Sequence, residues 1–173
     1  MGQNLLNRNP LSTLATASGL HPFLRLLYAR FGERRCPHCG TILSVLTEDE
    51  IVERLVAASP RISAPLRIFA PLLRQTKGSH RTLLTLLSEE FGPDALLVDG
   101  RPWHKRELKA VEPHDIEVEV ARLEGSITAG DAREIVQRAA SLGASAIMLR
   151  GDGGASTLSR AAVCFACGTW FGD

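Results

Sequence analysis

Aromatic residues are scarce: six phenylalanines, two tryptophans and one tyrosine among 173 residues. Trp103 stands alone amid the basic residues around it, which argues against a platform for stacking bases. Excess charge is absent too. Twenty basic residues face nineteen acidic ones, so the whole chain is not a polycation that binds nucleic acid at large. No apolar run approaches the roughly 20 residues that span a bilayer, and the most apolar stretch, Leu66 to Leu73, contains Arg67 and Pro71. The N-terminus lacks a basic region followed by an apolar core, so no signal peptide is expected and the chain reads as cytoplasmic. No GxxxxGK[ST] occurs, and Ser63, Ser79 and His80 show no triad spacing. The chain therefore reads as non-catalytic. What is present, 45% apolar and 23% charged residues, is an ordinary globular composition with enough length to bury a core.

No cysteine is left over. Cys36, Cys39, Cys164 and Cys167 form two CxxC units, CPHCG and CFACG. A CxxC turn aims two sulfurs at one centre, and the glycine after it permits a tight backbone. Two such turns supply the four soft ligands of tetrahedral zinc. The gap of about 125 residues between them requires the intervening chain to fold outward and return. Other readings stay open. Cys36-Pro37-His38-Cys39 is also a thioredoxin-like redox sequence, though it follows a helix pattern and not a strand. The cysteines could be buried without a ligand, His38 or His114 could replace one sulfur, or a partner chain could contribute ligands.

Helical spacing over Phe23, Leu26, Leu27 and Phe31 predicts a helix started by His21-Pro22 and ended by Gly32. Thr47-Glu48-Asp49-Glu50 is a capping box opening a helix with Ile51, Leu55 and Val56 inward. Leu66 to Ala70 reads as a short strand. A helix opened at Gly78 or Ser79 carries Leu83, Leu84, Leu87 and Phe91 and stops at Gly92-Pro93. Ala95 to Val98 is a buried strand, and Ile116, Val118 and Val120 alternate with Glu117, Glu119 and Ala121 in a half-exposed one. The two glutamates are expected on a solvated face. Thr128 and Asp131 cap a further helix closed by Gly143. Ala146 to Leu149 and Leu158 to Val163 flank Gly151 to Gly154, a hairpin turn rather than a phosphate cradle. The fold class is α+β. Residues 45–154 form a mixed α/β insert on a helical, zinc-pinned base of residues 1–44 and 155–173.

Charge is blocked along the chain. Residues 61–109 hold nine basic and five acidic residues, whereas residues 110–135 hold seven acidic and two basic ones. A polarised surface of this kind suits an oppositely charged protein partner, and it could also track phosphates. The alternatives are accordingly a DNA-binding zinc module and, less favoured, a CPHC thiol oxidoreductase.

Gln3, Asn9-Pro10, Ser12-Thr13 and Thr16, then LRLLYARFG from Leu24 to Gly32, then CPHCG, resemble the UvrA family of excision-repair ATPase subunits. Phe69-Ala70-Pro71, Lys77-Gly78, Val98-Asp99-Gly100, His114 to Val118 and the final CFACG follow in the family's order. Departures are Leu11, Ala15, Thr76 and Val120-Ala121-Arg122. The resemblance implies a segment holding part of the first signature domain and the inserted domain that binds the helicase subunit UvrB, with DNA met through the full-length parent. Gln3 would match the family's nucleotide-sensing Q-loop glutamine. The stretch around Lys77-Gly78 and Asp99-Gly100 would lie in the partner-binding insert. Together with the local charge, this nominates Arg74, Lys77, Arg81 and Arg101 as the partner face.

Overall fold

The computed structural model describes residues 13–59, 65–151 and 154–169. Gln3 and the Asn9-Pro10 motif lie outside the described residues. Two compact units are separated after Arg35. The first contains α1 (Leu14–Ala17), α2 (His21–Phe31) and a two-residue extended piece, β1 (Arg34–Arg35). Pro22 sits in the first turn of α2, where its missing N–H costs nothing, and the Gly32 N–H closes the last turn on the Tyr28 carbonyl. None of the residues of α2 is buried.

The second unit opens with β2 (Ile42–Leu43) and α3 (Glu48–Ala58). The expected capping box is complete. Thr47 Oγ1 accepts the Glu50 N–H at 3.3 Å, and Glu50 Oε2 accepts the Thr47 N–H at 2.7 Å. There follow β3 (Leu66–Lys77), α4 (Arg81–Phe91), a 3-10 turn (Pro93–Ala95), β4 (Leu96–Val98), β5 (Arg101–Pro102) and β6 (Pro113–Leu123). Last come α5 (Ala129–Ser141), β7 (Ala146–Gly151) and β8 (Gly154–Ser159). The Thr128–Asp131 box starts α5 in the same way. The α4 helix starts at Arg81, after His80 in the left-handed region (φ 46°), rather than at Gly78 or Ser79.

Six strands form one sheet in the order β5-β4-β6-β3-β7-β8, with every neighbouring pair antiparallel. Period-2 alternation sorts the side chains between two faces. Ile68 and Ala70 of β3, Leu96 and Val98 of β4, Ile116, Val118 and Val120 of β6, and Ile147 and Leu149 of β7 form one core. Ile51, Val52 and Leu55 of α3, Leu84 and Leu87 of α4, and Ala132, Val136 and Ala139 of α5 close it. Phe69, Leu97 and Met148 form a smaller cluster. They pair with one another or with Glu117 and Glu119, at positions that alternate with the main-core residues and so lie on the opposite face.

Three further sequence expectations change. β3 is 12 residues long and runs through Pro71, although it is interior to the sheet. Pairing to β7 covers only Arg67 to Phe69, so no ladder bond on that side is lost at the proline. The last strand ends at Ser159 and not at Val163, while Gly151 opposite Gly154 bears out the hairpin. Glu117 and Glu119 do not lie on a solvated face: Glu117 is 1% exposed, and its neighbours supply the countercharge.

Candidate metal centre and the charged sheet face

Both CxxC turns have one geometry. The Gly40 N–H donates to the Cys36 carbonyl at 2.8 Å and the Cys36 N–H to the Thr41 carbonyl at 2.8 Å. In the second turn Gly168 donates to Cys164 at 2.7 Å and Cys164 to Thr169 at 2.8 Å. Both glycines have φ 74°, which a residue bearing a Cβ rarely adopts, so the glycine after each CxxC is a backbone requirement. The first turn runs into β2 and not into a helix, so the helix N-terminus that activates a thioredoxin-like cysteine is missing there.

The sheet brings the two turns together. Cys36 Sγ lies 3.6 Å from Cys167 Sγ, Cys39 Sγ lies 3.5 Å from Cys164 Sγ, and all four sulfurs fall within 4.8 Å of one another. A disulfide would need about 2.05 Å, so the sulfurs are unbonded thiols. A tetrahedron with metal–sulfur bonds of about 2.3 Å has edges of roughly 3.8 Å. The donor set and spacing therefore fit a tetrathiolate metal ion. Cys36 and Cys164 are buried, Cys39 is exposed and Cys167 lies between. Hydrogen bonding with the Thr41 side chain and backbone holds the Cys39 thiol down to about 6, and Thr169 lowers Cys167 in the same way. Burial pushes Cys164 up to about 11. A divalent cation among the sulfurs would supply the countercharge that a buried thiolate needs. His38 and His114 are not in the cluster. His114 instead binds Asp99 and the Lys109 carbonyl.

Next to this centre, the face of the sheet opposite the helices carries arginines and carboxylates in alternation. Arg67 pairs with Glu119, which also accepts from Arg122 Nε at 3.0 Å. Arg150 reaches Glu117 at 2.7 Å, and Arg74 Nη1 lies 3.1 Å from both Glu117 and Asp115. The guanidinium carbons of Arg67 and Arg150 stand 4.9 and 5.7 Å from the centroid of Phe69, which is fully buried. Arg67 and Arg74 of the basic block thus meet Asp115, Glu117 and Glu119 of the acidic block across the β3–β6 pair, and Arg150 of β7 adds a second cation to Glu117. Of the four residues nominated as a partner face, Lys77 and Arg101 are exposed with no carboxylate partner among the described residues. Arg81 is exposed and pairs with Glu107. Arg74 is 18% exposed and faces inward to its acids. Sequence reading missed the roles of Glu117 and Arg150. The signal was available only as a charged residue opposite a strand of opposite charge, which needs the register.

Fold and centre together define an α+β module with two CxxC turns joined at one four-cysteine site. No family model matches the chain. Its sequence is 35% identical over 124 residues to "UvrABC system protein A" of Aquifex aeolicus. It is 36% identical over 126 residues to that of Deinococcus radiodurans and 38% over 124 residues to that of Mycobacterium tuberculosis. Each alignment covers 70% of this chain. The chain belongs to the UvrA family as a segment. It spans about an eighth of the length of these relatives.

Proposed function

We propose that this module is the partner-docking segment of a UvrA-type nucleotide excision repair ATPase. In this reading residues 45–154 are the inserted interaction domain, and residues 1–44 with 155–173 are its base. One zinc ion held by Cys36, Cys39, Cys164 and Cys167 pins that base. The chain itself hydrolyses no nucleotide and works in the cytoplasm, and DNA is met by the larger parent. The observation that carries this reading is the similarity to UvrABC system protein A over 70% of the chain. The convergence of both CxxC turns on one centre supports the zinc assignment.

The partner is a UvrB-like helicase subunit. Lys77, Arg81 and Arg101 are exposed cations on the segment that the family resemblance assigns to docking. Exposed interface charges mainly set the association rate and its salt dependence. A Lys77→Glu, Arg81→Glu double variant is therefore expected to bind cognate UvrB with slower association and a flatter salt dependence. Its zinc content and melting temperature stay near those of the parent, because both residues are on the surface. Surface-bound kinetics across salt concentrations is the measurement. Unchanged kinetics in the folded variant moves the contact elsewhere, and absence of binding by the parent module removes UvrB as its partner.

A further inference from the structure

We infer that Arg74 is the positioning residue of the cysteine centre, fixing the second CxxC turn against the sheet so that metal affinity depends on its guanidinium fork. The inference rests on the zinc reading of the four cysteines. Its geometry starts in β3. Register breaks on either side of Leu73, and a left-handed Gln75 (φ 51°), take the strand's end out of regular alternation. Arg74 and Gln75 are thereby presented together to the chain that follows β8.

The two Nη groups of the fork serve different partners. Arg74 Nη1 donates to Asp115 Oδ2 and Glu117 Oε1, both at 3.1 Å. Nη2 donates to the Phe165 carbonyl at 2.7 Å, and the guanidinium lies 5.9 Å from the centroid of the Phe165 ring. Phe165 is the residue directly after Cys164 inside CFAC. Holding its carbonyl therefore sets the plane of the turn that aims Cys164 and Cys167. Gln75 contributes the second support. Its N–H donates to Asp115 Oδ1 at 2.7 Å, and a Cβ placed on Gly168 would stand 3.4 Å from the Gln75 side chain. Both residues are thus braced by Asp115 on β6, and Arg74 also by the buried Glu117.

The two turns differ in how they are held. The chain after the first is tied to β8 by a backbone bond, from the Leu46 N–H to the Ser159 carbonyl at 2.7 Å. Among the described residues, the side-chain hydrogen bond from the sheet to the second turn is the one from Arg74. A lysine has the charge but not the planar fork, so it cannot serve two carboxylates and a carbonyl in fixed directions. Removing a group that orients metal ligands typically weakens metal binding by about 10- to 100-fold.

The test is zinc transfer from the intact chain to a chromophoric chelator, comparing the parent with R74A, R74K and R67A. Arg67 lies on the same strand and face and pairs with Glu119, so R67A loses an equivalent ion pair without touching the turn. R74A and R74K are expected to hold zinc about tenfold less tightly, with R67A within about twofold of the parent. Cobalt(II) bound to the Arg74 variants should keep the thiolate charge-transfer band of four sulfur ligands, because the ligands remain and only their positioning weakens. Parent-like affinity in both Arg74 variants overturns the inference, as does equal loosening in R67A. Should R74A fail to fold, R74K carries the comparison. A parent that binds no zinc removes the metal reading itself and this inference with it. A parent that binds zinc beside unaffected Arg74 variants removes the role of Arg74 alone.

Discussion

His114 has both ring nitrogens 3.0 Å from acceptors, Nδ1 from Asp99 Oδ2 and Nε2 from the Lys109 carbonyl. Two acceptors require two N–H donors, which is the imidazolium form. The hydrogen bond to Asp99 raises its pKa first of all, against the cost of burial, and the Lys109 carbonyl and Glu112 add to the effect. Other groups nearby are the edge-on ring of His80, with centroids 6.4 Å apart, and Arg106, 3.7 Å from the same Asp99 oxygen. Because the folded pKa lies above the unfolded one, this contribution is complete below the unfolded value of about 6.5 and is lost as pH rises through the folded pKa. A His114→Gln variant is therefore expected to fall short of the parent in melting temperature by most near pH 6, with the gap narrowing toward pH 9. A gap independent of pH would mean that packing, and not charge, is what His114 supplies. Asp99 titrates with the opposite sign. Burial raises its pKa, but the Asp115 N–H, His114 and Arg106 outweigh burial and lower it, so its contribution is lost only in acid. None of this was legible from a lone histidine in HDIEVEV. The pairing needs the Asp99-Gly100 turn beside β6, which the register supplies.

At the scale of elements, helix starts were the most legible feature, because a cap is a contact over three residues. Both capping boxes read from Thr47–Glu50 and Thr128–Asp131 are formed in the structure. Thr47→Ala and Thr128→Ala are each expected to cost about 1 kcal/mol, read as a shift in urea midpoint at unchanged slope. Arg133 of α5 bonds Asp49 of α3 at 3.0 Å and links the two helices near their starts, so the double variant is expected to cost less than the sum of the singles. A cost equal to the sum would show that the boxes act independently. Strand limits were less legible. The bulges of β3 and its partial pairing to β7 allow Pro71 inside a central strand, an arrangement that local propensity argues against. Strand polarity misled as well. Glu117 and Glu119 alternate with apolar residues as a solvated face would, yet Arg67 and Arg74 of the adjacent β3 and Arg150 of β7 beyond it cover them.

For the whole molecule, the zinc ion of the proposed centre would close a loop of 125 residues between Cys39 and Cys164. A cross-link over a loop of that length restricts the unfolded chain by about 5 kcal/mol on entropic grounds. That corresponds to roughly 10–20 °C in melting temperature for a protein of this size. Stripping zinc with a chelator, or Cys36→Ser or Cys164→Ser singly, is expected to produce a drop of this order, and elemental analysis should show zinc lost in both variants. Full zinc in Cys164→Ser but none in Cys36→Ser would show that the pairs do not share an ion. The sequence by itself determined the cysteine pairs with their glycines, the caps, the apolar faces and the family, because each is written in residues a few positions apart or in an ordered string of motifs. Only the tertiary structure decided that both pairs meet at one point, that Arg67 and Arg74 meet the acidic block across β3 and β6, and that Arg74 turns inward to the second CxxC turn. Those outcomes depend on strand order, register and two bulges, which bring together residues 40 to more than 120 positions apart, and no local pattern encodes which of many oppositely charged pairs will face each other.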